Sequence, residues 1–193
     1  MHETLLTYIR KHSTTPLTEN EIEVIKDVFI PKKLRKRQFF LQEGEVCKYA
    51  AFIVKGAMRQ YRVDDKGVEH MLRLSMENWW VSDRESYTML TPSRYNIDAW
   101  EDCELLTCTR ADFLDRLNQI PAINEMTKKM DDNFAIATQR RVSSISLSAE
   151  ERYAELVQTY PEFLQRFPQH LIASYLGISR ETLSRLRSQA AKK

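Results

Sequence analysis

The spacing of hydrophobic and polar residues divides this chain into an N-terminal helical part, a central part typical of short strands, and a C-terminal helical part. Two short helices are predicted at 3–12 and 18–30, the second beginning at a capping box formed by Thr18 and Glu21. From about 33 to 108 the sequence is rich in β-branched and aromatic residues and is interrupted by glycines. That pattern predicts short strands separated by turns.

Turn signals within the central region indicate how its strands are connected. Segments 57–63 and 68–74 flank a four-residue turn that ends in Gly67, which predicts a β-hairpin. A further antiparallel pair is predicted for 95–100 and 103–108, with an acidic turn between them. The fold class predicted is α+β, with a small antiparallel roll or barrel flanked by helices.

A long continuous helix is predicted for about 121–146. Pro121 suits the first turn of a helix, and neither glycine nor proline follows it over this length. Apolar side chains recur at spacings of three and four and form a stripe about four turns long. The stripe consists of Ile123, Met126, Met130, Phe134 and Ala137. A lone helix would leave this stripe in water, so the stripe predicts the interface of a homodimer.

Composition excludes some classes of protein without choosing among the rest. The 193 residues are 42% hydrophobic and 29% charged, as in ordinary globular domains, and the net charge of +2 does not itself indicate a nucleic-acid partner. Because no apolar run reaches a membrane span and the N-terminus lacks a signal-peptide pattern, we expect a cytoplasmic protein without a membrane partner. Cys47, Cys103 and Cys108 show no C-x-x-C spacing, which predicts reduced, buried thiols and no metal site.

The most specific signal lies at 168–189. Its apolar positions are Leu171, Ile172, Leu176, Leu183 and Leu186. Gly177 suits the left-handed cap that ends a first helix, Ile178 would fill the space between two helices, and Ser179 suits the N-cap of the second. A helix, a short turn containing glycine and another helix are typical of a DNA-binding helix-turn-helix.

The polar face of this motif indicates the chemistry of its partner. The predicted exposed residues of the second helix are Ser179, Arg180, Glu181, Ser184 and Arg185. Arginine can donate two hydrogen bonds to guanine and glutamate can accept one from cytosine, so this face suits double-stranded DNA with a G·C-containing half-site. Gln169 and His170 are placed for phosphate contacts, and 168–193 carries five Lys/Arg against one Glu. The alternative is a two-helix packing unit with a solvated charged face.

Three segments resemble the Crp/Fnr family of transcription regulators, and the resemblance covers almost the whole chain. They are LQEGEVCKYAAFIVKGAMRQYRVDDKGVEHMLRL, DCELLTCTRADF and LGISRETLSRLR. The resemblance implies a cyclic-nucleotide-binding-like sensor of the double-stranded β-helix or jelly-roll type, a dimerisation helix and a C-terminal helix-turn-helix. It also implies a homodimer on near-palindromic operators, with RNA polymerase among its partners, and gives Arg180, Glu181 and Arg185 the base contacts.

The region of the family's ligand pocket departs from the family pattern. Members that bind cyclic AMP carry Gly-Glu and Arg-Ser/Thr-Ala segments, whereas Ser82-Asp83 and Ser93-Arg94 stand here, with the arginine displaced by one residue. A slip of one residue turns a strand side chain to the other face, so we expect no ordinary cyclic AMP binding. The atypical effector pocket comprises Ser82, Asp83, Arg84, Ser93, Arg94, Thr138 and Gln139. Its ligand is an unidentified small molecule, unless the roll is a ligand-free scaffold and Thr138 and Gln139 are a polar step in the dimer seam.

Other family features are missing or reduced. No cysteine precedes Cys47, so an iron–sulfur cluster is not expected. The chain stops soon after the second helix of the motif, which predicts a minimal DNA-binding domain with a truncated wing, in which Lys192 and Lys193 supply some phosphate contacts. The predicted domains are 1–147, containing the roll and the dimerisation helix, and 148–193, containing the helix-turn-helix.

Three classes of function remain to be compared. The first is a homodimeric DNA-binding regulator in which events in the roll shift the long helices. The second is a ligand- or partner-binding roll with a vestigial helix-turn-helix, which the reduced wing would explain. The third is an enzyme, but the sequence lacks a nucleophile elbow, a phosphate-binding glycine loop and a metal-ligand cluster, so catalysis is not expected.

Overall fold

The computed structural model describes residues 1–190. Two N-terminal helices, α1 (His2–His12) and α2 (Glu19–Val28), lie close to the predicted positions. The capping box is confirmed: the Thr18 hydroxyl accepts a hydrogen bond from the Glu21 backbone, and the Glu21 carboxylate accepts one from the Thr18 backbone. Leu5, Ile9 and other apolar side chains of these helices are buried in a core shared with the roll.

The central region forms two four-stranded antiparallel sheets, and the predicted roll is therefore confirmed. The strands are β1 (Ile30–Leu34), β2 (Phe39–Leu41), β3 (Tyr49–Lys55), β4 (Met58–Val63), β5 (Glu69–Ser75), β6 (Trp80–Val81), β7 (Asn96–Ala99) and β8 (Cys103–Thr109). The strand order is β1-β8-β3-β6 in one sheet and β2-β7-β4-β5 in the other. A short helix, α3 (Arg84–Met89), separates β6 from β7.

The hairpin of β4 and β5 is confirmed, but the predicted pairing of β7 with β8 is wrong. β7 pairs with β2 and β4, whereas β8 pairs with β1 and β3 in the other sheet. The segment between them therefore crosses from one sheet to the other. Gly56 makes the same crossing between β3 and β4 at a φ of +98°, and a Cβ there would lie 2.5 Å from the Asp102 carbonyl oxygen.

After the roll come α4 (Arg110–Asp115), a short 3-10 turn (Leu117–Gln119) and the long helix α5 (Pro121–Ser143). Pro121 lies in the first turn of α5, as predicted. Ile123 and Met126 are buried in the chain's own core with α1 and α2, so the prediction that they form an exposed seam is wrong. Met130 is partly buried against the same core. By contrast, every residue from 131 to 143 is exposed.

Within residues 144–190, the C-terminal part consists of helices joined by short turns. Its helices are α6 (Ala149–Thr159), α7 (Phe163–Arg166), α8 (Gln169–Leu176) and α9 (Arg180–Ala190). A second capping box, between Ser148 and Glu151, begins α6. These helices share one hydrophobic core with the roll, because Tyr61, Met71 and Leu74 pack in the same cluster as side chains of the C-terminal helices.

The three cysteines are free and buried. Burial raises the pKa of the Cys103 and Cys108 thiols to about 12, so both stay protonated near neutral pH. Within residues 1–190, no group of three or more His, Cys, Asp or Glu side chains could hold a metal ion. In the same range, no helix has the length and apolar character needed to cross a bilayer.

Candidate nucleic-acid interface

The turn between α8 and α9 is a Schellman motif. Gly177 has a φ of +66°, its N–H donates to the Ser174 carbonyl over 3.1 Å, and the Ile178 N–H donates to the Ala173 carbonyl over 3.0 Å. The Arg152 guanidinium, from α6, donates to the Leu176 carbonyl over 2.8 Å. These bonds satisfy three carbonyl groups at the end of α8 and fix the direction in which the chain continues into α9.

The start of α9 presents its polar face to solvent. Ser179 caps the helix, since its hydroxyl accepts a hydrogen bond from the Thr182 N–H at 3.1 Å, and Leu183 and Leu186 are buried on the opposite side. The residues left exposed are Ser179, Arg180, Glu181, Ser184 and Arg185. None of these charged side chains forms a salt bridge within residues 1–190. Hydrogen bonds from its own backbone N–H and from Ser179 lower the pKa of Glu181, so it remains an acceptor.

The start of α8 lies beside this face. His170 is exposed, and Gln169 is partly exposed in the first turn. The N-cap of α8 is Pro168, which supplies no side-chain cap; the Leu171 N–H donates to the Pro168 carbonyl, and the N–H groups of Gln169 and His170 are left open to an anion. Lys192 and Lys193 lie outside the described residues.

A shallow groove of about 660 Å³ separates the recognition face from the hairpin of the roll. Val68, Glu69 and His70 line its roll side, and His170 and Arg180 line its helix side. The hairpin therefore stands next to the first turn of α9.

The edge strand β5 holds α8 through backbone hydrogen bonds. The Ser174 hydroxyl accepts a bond from the Met71 N–H at 3.0 Å and donates one to the Glu69 carbonyl at 3.1 Å. The Ser174 side chain thus pairs with one N–H and one carbonyl of β5 that would otherwise be unpaired at the edge of the sheet. Arg141 of α5 adds bonds to the carbonyls of Met71 and Tyr175, at 3.4 and 3.2 Å.

A guanidinium clamp also joins the C-terminal helices to the roll. Arg166 donates two hydrogen bonds to Glu101, at 2.6 and 2.8 Å, and two to Glu77, both at 3.1 Å. The Trp100 indole N–H donates to the Arg166 carbonyl over 3.2 Å. Burial raises the pKa of Glu77, but hydrogen bonds from Arg166 and from backbone N–H groups outweigh it, and the net pKa is lowered. No local sequence pattern indicates this clamp, because its three members are distant along the chain.

The predicted effector pocket is only partly assembled. The Ser93 hydroxyl donates to the Asp83 carboxylate at 2.6 Å, and both side chains are buried. Arg94 is exposed, as are Thr138 and Gln139 on the outer half of α5, whereas Ser82 is partly buried. The buried acid is thus satisfied by a hydroxyl where cyclic-nucleotide binders carry an arginine.

Arginines between the roll and α5 contact Phe134. Arg84 forms an ion pair with Asp131 at 2.8 Å, and its guanidinium lies 4.9 Å from the Phe134 ring centroid. Arg73, which sequence reasoning missed, lies between the rings of Trp79 and Phe134, at 5.9 and 5.8 Å. Burial lowers the pKa of Arg73. Phe134 therefore contacts the chain's own roll while remaining 39% exposed, and its predicted place in a dimer interface stays a prediction.

Comparison with known proteins identifies the class of the roll. Residues 31–119 match the family model of the cyclic nucleotide-binding domain. This match covers β1 to β8, α3 and α4, and so includes the buried Asp83–Ser93 pair. Among curated proteins, none is significantly similar in sequence to this chain.

Solved structures extend the likeness to the C-terminal helices. FixK2 of Bradyrhizobium japonicum is 18% identical with a TM-score of 0.73, over 86% of this chain and 85% of that one. A CooA mutant of Carboxydothermus hydrogenoformans is 20% identical with a TM-score of 0.68, over 86% and 78%. The catabolite activator protein of Thermus thermophilus is 20% identical with a TM-score of 0.56, over 91% and 84%. The chain has the fold of Crp/Fnr-type regulators, with a cyclic nucleotide-binding domain followed by C-terminal helices.

Proposed function

We propose that this chain is a DNA-binding transcriptional regulator in which α9 is the recognition helix. The observation that carries the proposal is the exposed face at the start of α9, where Arg180, Glu181 and Arg185 form no salt bridge within residues 1–190 while Leu183 and Leu186 are buried. Recognition helices place such first-turn side chains against base edges in the major groove. The open first turn of α8 adds a site for backbone phosphate.

The regulator acts as a dimer through α5, but on a different face from the predicted stripe. From 131 to 143 every residue is exposed, although Phe134 contacts arginines of the roll, and an exposed helical segment is only marginally stable in water without a partner. Ala135, Gln139 and Val142 recur at spacings of four and three, with Ile136 beside them, which is the pattern of a two-helix seam. Val142 is 62% exposed and Ile136 is 47% exposed, so both are available to a second copy. Two recognition helices about 34 Å apart would then meet successive major-groove faces.

The roll does not bind the phosphate of a cyclic nucleotide in the usual way. A buried carboxylate paired with a hydroxyl offers a phosphate no positive charge, and an anion beside Asp83 would meet like-charge repulsion. Arg94, the nearest arginine in sequence, is exposed. Titration calorimetry with cyclic AMP and cyclic GMP tests this reasoning, and we expect no saturable heat. Saturable binding to the wild type that is lost in Ser93→Ala would contradict it.

Signals pass between the roll and α9 through the contacts of β5. Arg73 packs on Phe134 of α5, while the neighbouring Met71 bonds to Ser174 of α8. A shift of β5 therefore acts on both the proposed dimer helix and the recognition unit. Regulation would follow as a change in the populations of dimers that can and cannot bind DNA.

Selection of binding sequences from random duplex DNA tests the function directly. The wild-type protein should enrich a near-palindromic site, and Arg180→Ala should weaken binding to it by roughly 1–3 kcal/mol because a bidentate base contact is lost. Arg10→Ala is the matched control, since Arg10 is exposed on α1 and also loses one positive charge. A folded dimer that enriches no sequence and retards no duplex at low salt would refute the proposal and favour a roll that binds another partner.

A further inference from the structure

A second cavity lies at the junction of the roll and the C-terminal helices, and we name it the junction cavity. Its volume of about 430 Å³ is typical of sites for small molecules. Its lining includes Glu77 and Trp79 from the roll, and Tyr160, Glu162 and Arg166 from the C-terminal part. Because each part supplies one wall, the cavity exists only while the two parts are docked.

Aromatic rings form one wall of the junction cavity. The Trp79 and Tyr160 rings meet edge to face, with centroids 5.4 Å apart, and the buried Phe163 ring stacks on Tyr160 with centroids 4.9 Å apart. Trp79 already contacts one guanidinium, because Arg73 lies 5.9 Å from its centroid without lining the cavity. The electron-rich faces of such rings attract the cationic group of a ligand.

The charges around the junction cavity disfavour an anionic ligand. Arginine has five N–H donors, and Arg166 uses four hydrogen bonds to hold Glu77 and Glu101, so little donor capacity remains. Two carboxylates and one guanidinium leave the clamp with a net negative charge. Glu162 adds a second negative charge, since it is exposed and forms no salt bridge within residues 1–190. An anion would therefore meet like charges, whereas a cation would find acceptors.

We propose that the junction cavity binds a small organic cation, with a primary ammonium group on a flat apolar body. The carboxylates of Glu162 and Glu77 supply the acceptors for the ammonium. Glu77 Oε2 retains capacity for this, because within residues 1–190 it accepts one hydrogen bond, from Arg166 at 3.1 Å. The apolar body contacts the rings of Trp79 and Tyr160.

Binding of this cation is coupled to docking. A ligand that needs both walls binds the docked form alone and therefore stabilises it by mass action. The Met71 N–H, which donates to Ser174 of α8 at 3.0 Å, becomes open to exchange when α8 leaves β5. A free ligand concentration of about ten times Kd should slow Met71 exchange by about tenfold. The Ser93 N–H donates to the Glu45 carbonyl within the roll, and its exchange should be unchanged because neither residue lines the cavity.

Three probe molecules of similar size and different charge test the site. They are the cation phenethylammonium, the neutral phenethyl alcohol and the anion phenylacetate, each titrated calorimetrically into the full chain at neutral pH. The variant Glu162→Gln removes the unpaired carboxylate and keeps the size of the side chain. Glu155→Gln is the matched control, because Glu155 is exposed on α6 and does not line the cavity. Both positions are exposed, and circular dichroism melting verifies that each variant is folded.

Phenethylammonium should bind the wild type saturably, and the other two probes should bind at least about tenfold more weakly because they lack the cation. Glu162→Gln should weaken phenethylammonium binding by roughly two- to fivefold, as expected for an exposed ion pair, and Glu155→Gln should leave it unchanged. Absence of saturable binding would overturn the proposal, as would equal binding of the three probes, equal affinities of the two variants, or Met71 exchange that phenethylammonium does not slow. None of these measurements uses DNA, so their failure is distinguishable from failure of the proposed function.

Discussion

The Arg166 clamp makes the docking of the C-terminal helices onto the roll accessible to experiment. Replacing Arg166 by Met keeps an unbranched apolar stem in place and removes the guanidinium. Four hydrogen bonds to Glu77 and Glu101, 2.6 to 3.1 Å long, are then lost. The apolar part of the interface, including Met71 and Leu171, is left intact. The variant should therefore weaken docking without unfolding either part.

The size of the effect follows from the exposure of the clamp. The Arg166 side chain is 30% exposed, and each carboxylate side chain is 33% exposed. Fully exposed ion pairs contribute about 0–1 kcal/mol, whereas a buried hydrogen bond to a charged group contributes about 1.5–3 kcal/mol. A partly exposed clamp of this kind should stabilise docking by about 1–2 kcal/mol in total. Because 1.4 kcal/mol corresponds to a factor of ten, the undocked population should rise by roughly 5- to 30-fold.

Hydrogen exchange at one amide reports the docked state. The Met71 N–H donates to Ser174 of α8, so it is protected by docking, whereas the Ile53 N–H donates to the Trp79 carbonyl inside the roll. Met71 should exchange faster in Arg166→Met by the same factor, while Ile53 should be unchanged. Arg116→Met is the matched control, since Arg116 pairs with the largely exposed Asp27 and should affect neither amide.

The pH dependence follows from the lowered pKa of Glu77. The pKa of Glu77 in the folded protein lies below the ordinary value of 4.5, so its ionised carboxylate stabilises the folded state fully above about pH 4.5. This contribution is lost as the pH falls through the pKa that Glu77 has in the folded protein. Wild-type Met71 protection should therefore decrease below about pH 4.5, and Arg166→Met should lack this step. Unchanged Met71 exchange in the variant, or equal acceleration of Met71 and Ile53, would refute the reasoning.

Three further predictions concern other parts of the fold. Gly56→Ala should destabilise the protein by about 2–4 kcal/mol, through positive φ and overlap with the Asp102 carbonyl, and a melting temperature lowered by less than about 3 °C would contradict this. Val142→Glu should dissociate the proposed dimer, as measured by light scattering, whereas Ala137→Glu, on the other side of α5, should not. The reverse result would favour the stripe predicted from sequence as the dimer interface. Bonds from the Thr15 hydroxyl, then from the Thr14 backbone and hydroxyl, lower the pKa of Glu125 to about 2. The exchange protection of the Thr14 amide should thus be full above pH 4.5, fall as pH approaches 2, and be pH-independent in Glu125→Gln.

The features that could be predicted from sequence are those set by neighbouring residues. Thr18 with Glu21 and Ser148 with Glu151 form capping boxes because partners three residues apart meet in any helix start. Gly177 adopts its positive φ for a similarly local reason. The turn and both helices of the candidate interface follow from such short-range rules, and this explains why its fold was the easiest to foresee.

The features that could not be predicted depend on residues far apart in the chain. Alternation of polar and apolar residues defines the strands β7 and β8 but does not say which sheet each joins. The Arg166 clamp joins residues 65 and 89 positions apart. The bond between Asp83 and Ser93 likewise depends on how the loop after α3 returns to the roll. Comparison with the family pattern shows that both residues are unusual, but it cannot show that they form a hydrogen bond with each other.

The error over the dimer stripe has a physical cause that also bears on regulation. An apolar stripe shows only that a helix face is covered, and the roll covers the first two turns of this one. Further along, Phe134 of the same stripe contacts Arg73 and Arg84 of the roll, while Gln139 and Val142 of the proposed seam are exposed. Helix α5 therefore has one face for its own sensor and another for its proposed partner. A displacement of Arg73 or Arg84 would move Phe134, and with it the exposed seam residues on the same helix. Segment 131–143 is therefore where a signal from the roll could change the geometry of the proposed dimer.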